Sequence, residues 1–323
     1  MNTFIIGCGG VGGFFGGLLA KAGKQVTFVT RKEEGRTIKK NGLKVKSVVG
    51  NFTIKKADVI DDIGAIKNPD IILVTVKSYD LGGAARQLAK VAGKETIIIT
   101  FQNGVENDFE IRQSSKKAQV YPGIAYVVAS RIAPGVISQT SGGRKLIFGD
   151  RKNPGNAGLK KVEMFLRSAG VDATCSDDIT RDLWKKYVFI IPYAGMTSIC
   201  RSPIGKIMAD PTASSLFRMC LEEAAAVAKA MGVQLSKTVI EDTLAYVKKH
   251  DPSSKSSMLV DIEHGRRTEI ETLHGTLVRL AKKNRIPVPV NSLIYSAVRL
   301  WGGKGKKFDG IAPFNPFRWE KYA

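Results

Sequence analysis

The chain is poor in the residues that bind metals, staple small folds or cross membranes. Its 323 residues include four cysteines and three histidines. Cys8, Cys175, Cys200 and Cys220 show no C-x-x-C spacing, which argues against a zinc framework and points to reduced thiols in a cytoplasmic protein. His250, His264 and His274 stand alone, so no metal centre is expected. No run of about 18 apolar residues occurs, so no membrane span is expected. The start, Met1-Asn2-Thr3, lacks the basic region of a signal peptide. No internal repeat or low-complexity segment is found. Acidic side chains are scarce: 29 Asp and Glu face 50 Lys and Arg, a net charge of +21. The cations are scattered, in small clusters such as Lys304-Gly305-Lys306-Lys307, with no aromatic-interleaved basic motif. The excess reads as a solvated basic surface that attracts phosphates and carboxylates, with no nucleic acid as partner.

Glycine is not scarce, and its placement organises the chain. Thr3-Phe4-Ile5-Ile6 reads as a buried strand and enters Gly7-Cys8-Gly9-Gly10-Val11-Gly12, a G-x-G-x-x-G at Gly7, Gly9 and Gly12. A helix is predicted over 14–22 and a second strand over 25–29. In that βαβ setting the glycines allow a tight turn, the approach of a pyrophosphate to the backbone, and close helix packing. The free N–H groups of the helix start favour phosphate. The second strand ends in Thr30-Arg31-Lys32, where an NAD site usually carries an acid for the ribose 2′-hydroxyl. Arg31 suits a 2′-phosphate instead, which points to NADP(H).

Further strands are predicted over 43–47, 52–55, 70–76 and 96–100. The last two end in Lys77-Ser78 and Gln102-Asn103-Gly104, polar side chains at one sheet edge. Residues 119–149 carry four short β-like runs, followed by a helix over 157–168 and a strand over 171–175. Beyond residue 177 the apolar spacing is helical, with helices predicted over 178–191, 212–231, 238–250 and 268–283. The fold class is therefore an α/β Rossmann-like dinucleotide-binding domain, 1–177, followed by an all-α domain, 178–323, that would carry substrate and catalysis.

A reductase of this build needs a proton donor. Leu183-Trp184-Lys185-Lys186 offers one, since a partly desolvated lysine is a competent general acid. Ser256-Ser257-Met258-Leu259 and Thr268-Glu269-Ile270-Glu271 offer a second region. Thr268 with Glu271 fits a capping box, which would start a helix at Glu269 after Gly265 ends the preceding one. Glu269 reads equally as a carboxylate facing a lysine and as a favourable surface charge.

Taken together, the glycine loop, Arg31, Val76-Lys77, Gln102-Asn103-Gly104, Leu183-Trp184-Lys185-Lys186, Ser256-Ser257-Met258-Leu259 and Thr268-Glu269-Ile270-Glu271 resemble the ketopantoate reductase (2-dehydropantoate 2-reductase) family over nearly the whole length. The resemblance implies NADPH-dependent reduction of ketopantoate to pantoate, on the route to pantothenate and coenzyme A, in a site between the two domains. It implies Lys186 and Glu269 as catalytic residues. It places the cofactor on Gly7, Cys8, Gly9, Gly10, Val11, Gly12, Arg31, Lys77 and Asn103, and substrate on Asn103, Lys186, Ser257 and Glu269. It leaves a homodimer open.

One departure stands out. Characterised members carry substrate-holding asparagines four and eight residues after the lysine; here those positions are Ile190 and Ala194, on the Lys186 face of the helix. Either other polar groups such as Tyr193, Thr197 or Ser198 take over, or the substrate is a more apolar 2-oxo acid. A non-catalytic NADP(H) sensor would need neither Lys186 nor Glu269.

Overall fold

The structure, a computed structural model, describes residues 1–301, so the Lys304–Lys307 cluster lies outside the described residues. The α/β part runs β1 (Thr3–Ile6), α1 (Gly10–Lys21), β2 (Val26–Val29), α2 (Lys32–Asn41), β3 (Leu43–Ser47), β4 (Phe52–Ile54), β5 (Asp58–Ile60), β6 (Ile71–Val74), α3 (Leu81–Val91), β7 (Ile97–Thr100), α4 (Asn107–Ser114), β8 (Gln119–Ala133), β9 (Val136–Phe148), α5 (Ala157–Arg167) and β10 (Asp172–Cys175). The helical part runs α6 (Ile179–Ile199), α7 (Ile204–Ala209), α8 (Pro211–Ala230), α9 (Val239–Lys248), α10 (Ser257–Glu263), a π-helical turn (Glu271–Gly275), α11 (Thr276–Asn284) and α12 (Pro289–Trp301). No helix among the described residues is long and apolar enough to cross a membrane.

The strands form one sheet in the order β4-β3-β9-β8-β7-β6-β1-β2-β5, with β10 paired to β9. From β5 to β8 neighbouring strands are parallel, and the registers pair Ile6 with Val29, Ile6 with Val74, and Val74 with Thr100. The carboxyl ends of β2, β1, β6 and β7 therefore lie level. They bring Thr30-Arg31, the glycine loop, Thr75 to Ser78 and Phe101 to Asn103 to one edge, at the switch point between β1 and β6. Apolar residues cover both faces by simple alternation: Phe4, Ile6, Ile72 and Val74 join the core on the α3 side, and Ile5, Ile71 and Leu73 join that on the α1 side.

The structure corrects several boundaries. Helix α1 begins at Gly10, four residues before the predicted start, because packing overrides the poor helix propensity of glycine. A Cβ at Gly12 would collide with the Gly7 carbonyl and the Thr75 hydroxyl, and one at Gly10 with the Ala129 carbonyl of β8. The four short runs of 119–149 are two long strands, β8 and β9, whose antiparallel pairing is broken by register shifts between Tyr126 and Ala129 and again before Ala133. Helices α2, α4, α7 and α12 and strand β5 were not expected from the pattern. Helix α6 does not stop at 191 but runs through buried Pro192 to Ile199. Proline there removes one N–H from the helix, and burial in the helical core holds the turn regardless.

A third core fills the helical part and also takes in Val105 and Ile124, so the two parts share apolar contacts. Arg151 adds a polar tie beside them. It donates to both carboxylate oxygens of Asp108 (3.0 and 2.9 Å), to the Val105 carbonyl and to Thr180 Oγ1 on α6. Asp108 is 1% exposed. Asp108 keeps a second cation, Arg112 Nε at 3.7 Å, so its charge is not stranded when Arg151 is lost. Arg151→Ala is expected to lower unfolding stability by about 1–3 kcal/mol, the scale of hydrogen bonds to a charged group, measured by chemical denaturation.

Candidate active site between the two domains

At the sheet edge the glycine loop leaves room for a ligand. No heavy atom stands within 4 Å of where a Gly9 Cβ would be, so the backbone there is open to close approach. The first N–H groups of α1 lack partners within the helix and face the loop. Cys8 is buried, and burial, reinforced by Glu34 and partly offset by Arg131, pushes its thiol up to about 12. It remains a neutral thiol, so only its backbone is chemically useful here. Arg31 caps the β2 end with an exposed guanidinium that pairs with Asp80 at 3.1 Å. That acid comes from the turn after β6, and the reading of the β2 end alone missed it.

The same turn, Lys77 to Asp80, meets the helical domain. Lys77 Nζ lies 2.9 Å from Asp261 Oδ2 on α10 and 3.2 Å from Glu269 Oε2, and the Ser78 N–H donates to Glu269 Oε1 at 2.9 Å. Glu269 is 11% exposed and Asp261 10%. Burial acts to lower the Lys77 pKa, but the two carboxylates outweigh it and the net shift is upward. Asp261 also accepts from Arg266 Nε at 2.8 Å. Asp261 was not anticipated: nothing in a helical Ser-Met-Leu-Val-Asp pattern marks it. On the strand side, Gln102 Nε2 donates to the Val74 and Val76 carbonyls at 3.1 and 3.0 Å, which ties the ends of β6 and β7 together below Lys77.

Lys186 enters from α6. It shares a small cavity with Gln102, Asn103, Gly104, Gly123, Tyr187 and Ile190. Its ammonium donates to the Ala125 carbonyl at 3.0 Å and stands 5.5 Å from the Tyr126 ring centroid. Burial pushes its pKa down to about 8, with Glu269 pulling the other way. Lys185, one residue earlier, is exposed. Helix α6 is anchored by the Tyr187 hydroxyl, which donates to the Leu273 carbonyl in the π-helical turn at 2.6 Å.

The structure thus gathers Lys186 and Asn103 around one cavity and Lys77 with Glu269 beside it. Glu269 hydrogen-bonds Lys77 and Ser78, not Lys186. The expected capping box is not formed. Glu271 instead accepts from the Tyr295 hydroxyl at 2.8 Å, and helical structure begins at Glu271 as a π-helical turn, with no capping side chain. Of the two departures from the asparagine pattern, Ile190 lines the cavity, whereas Ala194 is buried in the helical core. Thr197 is bonded to Ser256 Oγ at 2.7 Å within the core. Ser257 is exposed at the start of α10 and is not among the cavity-lining residues; the buried serine is Ser256, which caps α10 by accepting from the Leu259 N–H at 3.1 Å.

A dinucleotide-type parallel sheet, closed at its edge by a helical domain that sets a carboxylate and a lysine over the strand ends, is the build of a two-domain oxidoreductase. The description "Ketopantoate reductase PanE/ApbA" matches residues 3–153, and "Ketopantoate reductase PanE/ApbA C terminal" matches residues 178–301. The chain belongs to this family of oxidoreductases. It is 28% identical to the uncharacterized oxidoreductase YkpB of Bacillus subtilis, over 93% of this chain and 99% of that one. It is 29% identical to a 2-dehydropantoate 2-reductase of Halobacterium salinarum, over 93% and 98%. Among solved structures, a PanE/ApbA family ketopantoate reductase from Ralstonia eutropha JMP134 superposes with a TM-score of 0.86 at 29% identity, covering 93% of this chain and 98% of that one. A D-mandelate dehydrogenase solved with NADH and anilino(oxo)acetate shares the fold, with a TM-score of 0.83 at 21% identity, covering 93% and 97%.

The two neighbouring serines have separable roles. Ser256→Ala removes a helix cap and the partner of buried Thr197, and is expected to cost about 1–2 kcal/mol of stability. Ser257→Ala is expected to cost less than about 0.5 kcal/mol, as exposed substitutions do. Denaturation curves of the two variants check this.

Proposed function

We propose that this protein is an NADPH-dependent 2-dehydropantoate 2-reductase, reducing ketopantoate to pantoate. The observation that carries the reading is the convergence of Lys186 and Asn103 on one cavity, beside the Lys77–Glu269 pair, at the edge that holds the glycine loop. A dinucleotide fits this edge: the loop at Gly9 is open, the α1 N-terminus offers N–H groups, and Arg31 offers a cation for a 2′-phosphate. The bound cofactor supplies the hydride that reaches the ketone carbon.

The protein's part is positioning and proton transfer. The Lys186 ammonium leaves the Ala125 carbonyl for the ketone oxygen, polarises it, and donates the proton that completes the 2-hydroxy acid; the resulting amine regains a proton from water. Asn103 and Ser257 hold the polar groups of the substrate, Ser257 reaching it when substrate is bound. Glu269, fixed by Lys77 and the Ser78 N–H, keeps a negative charge near Lys186 that favours its ammonium form, and is available to a substrate hydroxyl. The basic surface draws the anionic substrate in.

A second reading, reduction of a more apolar 2-oxo acid, is favoured by one observation: Ile190 lines the cavity where the family carries asparagine. A buried substrate hydroxyl left without a partner costs about 1–3 kcal/mol, or about 5- to 150-fold in binding. On this reading Ile190→Asn improves the specificity constant for ketopantoate and harms that for 2-oxoisovalerate. If the native protein already prefers ketopantoate and the asparagine brings no gain, the apolar reading is defeated.

The proposed reaction is tested at Lys186. The reactive species is the ammonium, and its pKa is lowered to about 8. As pH rises through that value the acid is lost, so kcat/KM for reduction falls about tenfold per pH unit above about 8. Lys186→Ala is expected to lower kcat by about 100-fold or more, while Lys185→Ala leaves it nearly unchanged. A rate that stays level to pH 10 in the native protein, or a larger loss at Lys185, would overturn the assignment.

A further inference from the structure

Arg31 stands at the β2 end of the sheet edge with no acid beside it in sequence, which by itself favours a phosphorylated ribose. The structure supplies the missing acid from elsewhere. Strands β2 and β6 flank β1 on either side, and Arg31 and Asp80 follow these two strands. Their ion pair, 3.1 Å long, therefore joins the two sides of the edge at whose centre the glycine loop lies.

Asp80 is placed for this and for little else. It occupies the N-cap position of α3, where an aspartate ordinarily accepts a hydrogen bond from the first helical turn. Its side chain makes no capping bond. It reaches Arg31 instead, and neither partner is buried, at 85% exposure for Arg31 and 42% for Asp80. An exposed pair of this kind is weak and opens readily for a competing ligand. The rest of the turn is occupied: Lys77 and Ser78 hold Glu269, and the Tyr79 ring lies 4.5 Å from the Arg267 guanidinium.

The chemistry of the two side chains divides by ligand. A ribose 2′-phosphate needs the Arg31 cation, must displace Asp80 to take it, and is then repelled by the carboxylate it displaced. A free 2′-hydroxyl donates to a carboxylate, the role an acid at the end of the second strand usually plays in NAD sites. We infer that Asp80 is a cofactor-specificity residue: it holds Arg31 in check, favours the unphosphorylated dinucleotide, and makes the protein discriminate between NADPH and NADH less than Arg31 alone would allow. The inference rests on the proposed binding of a nicotinamide dinucleotide over the glycine loop and goes beyond it by naming what sets the choice.

The test is direct binding, read by nicotinamide fluorescence with no turnover required. Dissociation constants for NADPH and NADH are measured for the native full-length chain, Asp80→Asn and Arg31→Ala. Asp80→Asn keeps the shape and removes the charge. It is expected to tighten NADPH about fivefold or more, the lower end of typical coupling between sites, and to weaken NADH. Arg31→Ala is expected to weaken NADPH by more than it weakens NADH. The gain in Asp80→Asn should shrink at high salt, since both partners are exposed. If Asp80→Asn moves the ratio of the two constants by less than about twofold, the scale of an exposed ion pair, the inference is overturned while the dinucleotide reading stands. If neither dinucleotide binds the native protein, both fall.

Discussion

Glu269 is the hinge of the site. Its carboxylate leaves the helical domain almost entirely out of solvent and is received by the β6 edge, with one oxygen on the Ser78 N–H and the other on Lys77. A charge so placed must be paired, because desolvation without a partner costs more than the fold can spare. Several other features follow from that demand. Strand β6 must end in register with β1 and β7 so that Lys77 stands at the edge, and Gln102 ties those ends together. Asp261 of α10 also accepts from the Lys77 ammonium, and Arg266 meets the extra negative charge that it brings. The π-helical turn begins directly after Glu269 and Ile270.

The position of Lys186 depends on the same junction from the other side. The Tyr187 hydroxyl fixes α6 to the π-helical turn, so the helix that carries the lysine and the segment that carries the glutamate move together. Lys186 then lies near enough to Glu269 for that charge to oppose part of the downward shift that burial imposes. Lys186 lines a cavity with polar groups on the strand side and Ile190 on the helix side. The edge chemistry is thus set by two domains that share one carboxylate, with apolar contacts from Val105 and Ile124 holding them in place.

Much of this was legible in the chain because local rules carried it. The β1–loop–α1–β2 unit follows from apolar runs and spaced glycines, whereas the spacing around Trp184 left both lysines open and only the family resemblance singled out Lys186, the less exposed of the two in the structure. What the sequence hid was set by contacts distant along the chain. Asp261 meets Lys77 across 184 residues, and Asp80 meets Arg31 across 49. No periodicity announces either. The early start of α1 was masked by glycine's low helix propensity, which matters less than the close passage of β8 over Gly10. The capping box failed because Glu271 found a tertiary partner in Tyr295, and the length of β8 and β9 was disguised by bulges that break the alternation.

The central claim is that this junction of lysine, asparagine and carboxylate at a dinucleotide edge reduces small 2-oxo acids. It is tested most directly by mixing the native protein with reduced cofactor and a panel of 2-oxo acids that includes ketopantoate, and following loss of absorbance at the nicotinamide band alongside the product. The expected result is consumption of one reduced cofactor for each 2-hydroxy acid formed. Tight binding of the dinucleotide with no consumption for any member of the panel would contradict it, and would leave a cofactor-binding protein without this chemistry.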